Sequence, residues 1–312
     1  MSLSRSASPR PQRARRTVLA VPGSSDRFIA KARGLEADCL FLDLEDAVAP
    51  GEKEAARHRI VDALNAPEGW TPRTLTVRVN DWTTPWTTMD TWTVVTGAGA
   101  HIDCLVLPKA TCAADVQALD RVLTQAEQAA GLDVGQIGLE LQIEEARGVL
   151  NVAEIAAASP RTETLVFGPG DYMASMGMAS LSVASQIPGY PGDHFHHAFS
   201  AILVAARAHG LQAIDGPYVS IRDVEGFTES ARKVAALGYD GKWVLHPDQI
   251  AAGNAVFTPS AETLERARRI VTAYEEATGL AQGARGAIVV DDEMVDEAGL
   301  KVARAQLARV GG

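Results

Sequence analysis

Short apolar, β-rich runs recur along the chain at Thr17–Val21, Cys39–Asp43, Thr74–Val79, Ile102–Leu107, Gly138–Ile143, Thr164–Phe167, Leu211–Ile214 and Trp243–Leu245. Between most of them lie segments with apolar residues three and four apart and a charged opposite face, the spacing of amphipathic helices. These are Asp26–Leu35, Glu52–Leu64, Ala113–Gly131, Arg147–Ala158, His194–His209 and Asp223–Leu237, with a long Gly/Pro-containing loop at Met178–Gly192 before the fifth. Eight strands alternating with helices over roughly 250 residues predict the α/β class and a (β/α)8 TIM barrel. The rival, a doubly wound open sheet, lacks its early Gly-x-Gly-x-x-Gly turn.

Parity within the strands supports the barrel. Leu75-Thr76-Val77-Arg78-Val79-Asn80 carries Leu, Val and Val on one face and Thr, Arg and Asn on the other. Leu139 to Glu144 sets Leu, Leu and Ile against Glu140, Gln142 and Glu144. Parallel strands covered by helices are normally apolar on both faces, so the polar face points into the barrel and towards its mouth. That places Arg78 and Glu144 in one chamber. After the eighth strand, Thr258-Pro259-Ser260 opens a helix over Ala261–Tyr274. Glycines at 279, 283 and 286 then form a hinge before a small unit: strand Ala287–Val290, acidic turn Asp291–Glu293, helix Glu297–Val310. The expected division is a disordered basic arm at 1–15, a catalytic barrel at 16–280 and a lid at 281–312 that packs against a neighbouring subunit.

Charge narrows the partners. The net charge of −10 hides an asymmetry: Arg5, Arg10, Arg13, Arg15 and Arg16 stand in the first 16 residues without an acid, leaving 24 basic against 39 acidic residues elsewhere. Such a body repels nucleic acid. Three cysteines with no CxxC pair suggest reduced thiols and a cytoplasmic protein. No apolar run reaches membrane-spanning length, so no membrane partner is expected. The Arg- and Ser-rich start reads as a disordered arm or, alternatively, an organellar presequence.

Carboxylates gather where three apolar runs end: Asp43, Glu45 and Asp46; Glu144 and Glu145; and Asp171 after Gly168-Pro169-Gly170. Acids at several strand ends suggest one pocket that holds a divalent cation or protons. Glu144 and Asp171 suit Mg2+, which takes oxygen ligands and keeps several waters. Glu145 instead offsets a helix N-terminus. Asp43 and Glu45 either order metal-bound water or pair with Arg78, and Asp46 belongs to a solvated loop. Arg78 is a natural carboxylate clamp. Lys109, ending another strand, is a charge partner at the rim or, less simply, a Schiff-base lysine. Asp193-His194-x-His196-His197 has poor zinc spacing. His246 closes the barrel or contacts substrate, and the turn Val21–Asp26 offers amides to an anion.

Leu19-Ala-Val-Pro-Gly23, Phe41-Leu-Asp-Leu-Glu-Asp-Ala-Val48, Val77-Arg-Val-Asn80, Leu107-Pro-Lys109, Gln142-Ile-Glu144, Phe167-Gly-x-x-Asp-Tyr172, Ile214-Asp-Gly-Pro217, Gly241 to Gln249 and Phe257-Thr-Pro-Ser260 occur in order. Together they resemble the citrate lyase β-subunit-like (CitE-like) family of the HpcH/HpaI aldolase superfamily, with its malyl-CoA and methylmalyl-CoA lyases. The resemblance covers about Arg16 to Val310. It implies a Mg2+-dependent enzyme that cleaves or forms a C–C bond in a hydroxyacyl-CoA ester of malyl-, methylmalyl-, citramalyl- or citryl-CoA type. Carried over by position, it implies Glu144 and Asp171 as metal ligands, Arg78 as the residue polarising the oxo-acid carbonyl, and Asp43 and Glu45 as the acidic network beside them. Gly170, Asp171, Asp215 and Pro217 become substrate-binding positions. In Asp291 to Asp296, Asp296 matches the proton-handling Asp that reaches a neighbour's site, which implies a trimer or hexamer. Departures are Glu145 where a small hydroxyl residue is usual, Asp292 where Gly is usual, Ala298 where Pro or a similar residue is usual, and Ser175 where an Asp often stands. The alternatives are an aldolase on free hydroxy-oxo acids and a partner-dependent subunit that docks an acyl carrier protein.

Overall fold

The computed structural model describes residues 11–180, 182–183, 189–279 and 286–309. The start of the arm, part of the 178–192 loop, most of the glycine hinge and Val310 lie outside the described residues. The chain divides into two compact units, Met1–Phe257 and Thr258–Gly312.

In the first unit eight parallel strands close in sequence order into a barrel: β1 (Thr17–Pro22), β2 (Cys39–Asp43), β3 (Thr74–Arg78), β4 (Cys104–Leu107), β5 (Gly138–Ile143), β6 (Thr162–Phe167), β7 (Gln212–Asp215) and β8 (Gly241–Val244), with β8 pairing back to β1. Helices α1 (Asp26–Ala32), α2 (Lys53–Asn65), α3 (Thr87–Ala98) and α4 (Ala113–Ala130) follow the first four strands. After β5 come α5 (Ala146–Leu150) and α6 (Val152–Ala157), the single helix expected over 147–158 being broken at Asn151. Then follow α7 (Pro169–Ser175), α8 (His196–Ala208), α9 (Val224–Leu237) and α10 (Asp248–Val256). Neither α3 nor α10 was expected. The α3 sequence, TTMDTWTVVTGA, is rich in Thr, Trp and Val, which favour strands. It is helical because parallel neighbours need a crossover, and Val94 and Val95 bury their side chains in it.

Alternation decides which strand residues face the centre. Leu40, Leu42, Val77, Leu139, Leu141 and Leu165 pack under the helices. Val18, Cys39, Phe41, Val106, Val166, Ile214 and Trp243 form a separate inner cluster, centred on a Phe41–Trp243 pair with ring centroids 4.4 Å apart. Below this layer the last residues of the expected arm, Arg13 to Arg15, are bonded to the barrel. Arg15 is 1% exposed and sits in the barrel floor, where Nε donates to Glu140 Oε1 (2.7 Å), Nη1 to Gln212 Oε1 (2.7 Å) and Nη2 to Glu163 Oε2 (2.7 Å). Arg13 bonds Glu163 and Asp103 beside it. Arg13 to Arg15 are therefore part of the barrel, because Glu140 and Glu163 would be costly to bury without a cation. The chain reaches the floor by passing against Gly241, where an added Cβ would lie 1.8 Å from the Arg15 carbonyl oxygen.

In the second unit the boundary falls at Thr258, ahead of the expected 281. Helix α11 (Ala261–Gly279) belongs with the terminal elements because Ile270, Val271 and Tyr274 pack with Val290, Val295 and Leu300. A second strand was not foreseen: β9 (Ala287–Val290) pairs antiparallel with β10 (Glu293–Asp296), and α12 (Glu297–Ala308) follows. The hairpin turns on Asp291 and Asp292, with φ of 53° and 62°, the positive values of a type I′ turn.

Candidate active site

The mouth of the barrel is built from strand ends. Asp43 and Arg78 are register partners at the tips of β2 and β3. Their side chains meet in a two-pronged pair: Arg78 Nε donates to Asp43 Oδ1 and Nη2 to Oδ2, both at 2.7 Å. Asp43 also accepts from the Glu45 and Ala47 backbone N–H groups. Burial alone would raise its pKa, but Arg78 and these two donors outweigh it and hold the carboxyl below its ordinary value. The guanidinium carbon of Arg78 lies 5.4 Å from the Phe41 ring centroid and 5.5 Å from that of Trp243, so the inner aromatic pair is the bed on which the cation rests.

Glu45 lies between two cations. Its Oε1 is 2.6 Å from Lys109 Nζ, and its Oε2 is 2.6 Å from Arg78 Nη1, off the N–H direction. Burial still pushes its pKa up to about 6 against the pull of Arg78 and Lys109. Lys109 is thus a charge partner, with its own pKa raised because the bond to Glu45 outweighs burial. Its backbone is left-handed, φ 49°, an uncommon state for a side chain of this size. In that conformation its N–H donates to Glu144 Oε1 at 2.8 Å. The other oxygen of Glu144 accepts from the Gln142 side-chain amide.

Glu144 is buried, and its pKa is pushed up to about 8 by burial and by the neighbouring charges of Glu45 and Asp171, with Arg78 pulling the other way. Asp171 is half-buried in the first turn of α7, close enough for its charge to act on both Glu144 and Lys109. Gly168 makes this crowding possible. A Cβ there would lie 2.2 Å from Glu144 Oε2. Carboxylates whose charges repel one another in this way are suited to a divalent cation. Among the described residues no three His, Cys, Asp or Glu side chains form a ligand set. Two carboxylates with open positions are the donor set Mg2+ uses when it keeps water, so the residues fit that ion.

The expected positions divide. Arg78, Asp43, Glu45, Glu144 and Asp171 converge on the mouth. Gly170 is exposed, and Pro217 is half-buried after β7. Asp215 is corrected: it shares parity with Ala213 under the helices, is register partner to Lys242, and is held by the Lys242 ammonium and the Gly216 N–H. It forms a buried ion pair on the helix side of the barrel wall. Asp46 is exposed, 3.9 Å from Arg78. Glu145 stands at the N-cap of α5 without capping it, and Ser175 Oγ accepts the Ala146 N–H instead (2.9 Å). The Val21–Asp26 turn has fewer free amides than expected, since Gly23 N bonds the Asp43 carbonyl and Ser25 N that of Pro22. His246 bonds locally with Asp248. Sequence reasoning missed Lys53, Asn80 and Asp90, buried around the loop after β2. Only the inward parity of Asn80 signalled any of them. Asp296 lies in the second unit, exposed, with Oδ1 accepting from Gly299 N (3.0 Å) as the N-cap of α12.

Similarity to known proteins extends over almost the whole chain. The chain is 39% identical over 304 residues to an L-malyl-CoA/beta-methylmalyl-CoA lyase of Cereibacter sphaeroides (strain ATCC 17025 / ATH 2.4.3), covering 95% of this chain and 94% of the relative. It is 36% identical over 296 residues to a (3S)-malyl-CoA thioesterase of Cereibacter sphaeroides (strain KD131 / KCTC 12085), covering 94% of each. Among solved structures, CitE of Mycobacterium tuberculosis in complex with magnesium, acetoacetate and coenzyme A superposes with a TM-score of 0.73 at 34% identity, covering 99% of this chain and 100% of that one. Residues 16–247 match the model of the HpcH/HpaI aldolase/citrate lyase family, and the chain belongs to that family.

Proposed function

We propose that this protein is a Mg2+-dependent carbon–carbon lyase that cleaves or forms a hydroxyacyl-CoA ester of the malyl-CoA type. The observation that carries the reading is the mouth itself: Arg78 fixed by Asp43 and Glu45, facing the crowded carboxylates of Glu144 and Asp171. The named activity of the lyase relative and the magnesium and coenzyme A bound to the solved relative support it.

Glu144 and Asp171 would hold Mg2+, which supplies Lewis acidity to the oxygen of the hydroxy-acid end. Arg78 binds the same end and stabilises the charge that grows on that oxygen as the thioester enolate attacks the oxo-acid carbonyl. Lys109 and Gln142 hold Glu144 in place. In the bond-forming direction Asp296 of a neighbouring copy takes a proton from the thioester α-carbon. The enolate pair forms the C–C bond as the carbonyl π pair moves to oxygen, and water protonates that oxygen. Cleavage is the reverse, the hydroxyl proton leaving to water and Asp296 returning its proton to the enolate carbon. The outer face of the β9–β10 hairpin supports a packed lid: Val289 and Met294, opposite one another in register, are 73% and 75% exposed beside Asp296. A homo-oligomer, trimer or hexamer, follows from that role. Among the described residues no helix is long and apolar enough to cross a membrane, and we place the protein in the cytoplasm with its thiols reduced.

A panel of malyl-, methylmalyl-, citramalyl- and citryl-CoA assayed with Mg2+ tests the reading. Acetyl-CoA or its homologue should appear, and Asp171→Ala should lower the rate by about 10^3-fold, as expected for loss of a metal ligand. Unchanged turnover in Asp171→Ala rejects the metal pair. Free CoA thiol as the first product would favour the hydrolysis named for the thioesterase relative. Absence of saturable acetyl-CoA binding would favour an aldolase on free acids.

A further inference from the structure

The loop that presents Glu45 is gripped from behind by an ammonium group. Lys53, the first residue of α2, is 5% exposed, and its Nζ donates to three oxygens: Leu44 O (2.7 Å), Glu45 O (2.8 Å) and Asn80 Oδ1 (2.7 Å). Three donors meet three acceptors, so the group is fully used. Asn80 Nδ2 donates to the Leu44 carbonyl (3.0 Å) and to Asp90 Oδ2 (2.6 Å), and its N–H donates to the same Asp90 oxygen (2.9 Å). Asp90 Oδ1 accepts from Arg57 Nε at 2.6 Å, one turn along α2 from Lys53. The network joins α2, α3 and the end of β3.

Its target is specific. The Leu44 and Glu45 carbonyls belong to the two peptide planes on either side of the Glu45 Cα. A peptide unit is planar, so pinning both planes fixes the two soft dihedrals of that residue and the direction in which its side chain leaves. That side chain then meets Lys109 Nζ and Arg78 Nη1, each at 2.6 Å. We propose that Lys53 is a positioning residue for the reaction, clamping both peptides that flank Glu45 so that its carboxylate stands between Arg78 and Lys109. The proposal rests on the reading of the mouth as the active site. The Lys53 ammonium spends its three donors on Leu44, Glu45 and Asn80, so the clamp reaches the cation ligands only through the charge of Glu45, and its effect on turnover exceeds its effect on cation affinity.

The test is a double-mutant cycle of Lys53→Met and Glu45→Gln on the full-length protein, read in kcat, in KM and in Mn2+ affinity by electron paramagnetic resonance. Misplacing a catalytic group by about 1 Å costs on the order of 10^2-fold, so Lys53→Met should lower kcat by roughly 30- to 100-fold, change KM less than about threefold and leave Mn2+ affinity within about twofold. In the Glu45→Gln background the same substitution should cost less than about threefold, because the residue it positions is already changed. Losses that multiply, or Mn2+ affinity that falls in step with kcat, overturn the proposal. Asp90→Asn, which loosens the clamp without emptying it, serves the same cycle if Lys53→Met does not fold. A crystal structure of either variant reads the clamp without turnover. Glu45 displaced from Arg78 and Lys109 supports it and Glu45 in place overturns it, even if wild-type protein cleaves no ester and the proposed function fails.

Discussion

The two ends of the barrel each bury an arginine among carboxylates, yet they do opposite things with charge. At the floor, Arg15 and Arg13 face Glu140, Glu163 and the partly solvated Asp103. At the mouth, Arg78 and Lys109 face Asp43, Glu45, Glu144 and Asp171, leaving aside Asp46 and Asp81 at the rim. The floor is close to balance, whereas the mouth sets four carboxyl groups against two cations. Because the Glu144 pKa is pushed up to about 8, the full surplus of two develops only when a bound cation displaces that proton. A balanced buried network fixes a structure. An unbalanced one is a site waiting for a charge, and the surplus of two is that of a divalent cation. The same residue types thus form a near-balanced network at one end of the barrel and an unbalanced one at the other.

The sharpest way to break that contrast is to cancel charge at each end separately. Glu144→Gln should cost about 10^3-fold in turnover with Mg2+, since it removes a ligand and the surplus together. Its melting temperature without added metal should hold or rise, because a buried carboxylate repelled by Glu45 and Asp171 is gone. A fall in melting temperature comparable to the loss at the floor would put the mouth in the structural class and end the distinction.

Arg15→Met is the mirror experiment. It strands Glu140 and Glu163 in the floor without a cation, at a cost of about 3–5 kcal/mol. In a chain of this size that is a fall of roughly 10 °C in melting temperature by calorimetry. The enzyme that remains folded should keep kcat within about twofold, and adding Glu140→Gln with Glu163→Gln should restore much of the stability. An activity loss out of proportion to unfolding would show that the floor also reaches the chemistry.

Much of the mouth was legible in the sequence, and the floor was not, for a physical reason. Strand parity needs only local alternation, so it placed Arg78 and Glu144 together and predicted eight strands. It says nothing about height. Glu140 and Glu144 share a face of β5 and stand about 13 Å apart along it, enough to separate floor from mouth. Arg15 lies in a Ser-, Arg- and Pro-rich stretch that looks disordered, and no local pattern announces that one of its arginines threads beneath a barrel. Asp215 was placed at the substrate by its motif alone, without regard to strand parity, and the seventh strand runs one residue beyond the expected Leu211–Ile214. With the strand at Gln212–Asp215, its parity with Ala213 turns it outward. Lys53 was hidden for another reason, since a lysine in an amphipathic helix reads as solvated face until its three acceptors are seen.

Asp215 tests whether the division into two ends extends to the wall. Expected from its motif to touch substrate, it behaves structurally like the floor, a carboxylate paired with a buried ammonium. Asp215→Asn should therefore destabilise by about 2–3 kcal/mol, less than Arg15→Met because Lys242 keeps its bond to the Gly216 carbonyl. KM for the ester should stay within about twofold. A rise in KM with unchanged melting would return Asp215 to the mouth.

The smallest effect marks where the mouth ends. Asp46 belongs to the same acidic run as Asp43 and Glu45, but its side chain is 62% exposed and 3.9 Å from Arg78. Water screens a charge so placed, and pairs of this kind contribute little. Asp46→Asn should change stability by less than about 0.5 kcal/mol and turnover by less than about twofold, at both low and high salt. A larger loss that salt relieves would mean that Asp46 adds to the field at Arg78, and the surplus at the mouth would then be three charges, more than a single Mg2+ neutralises.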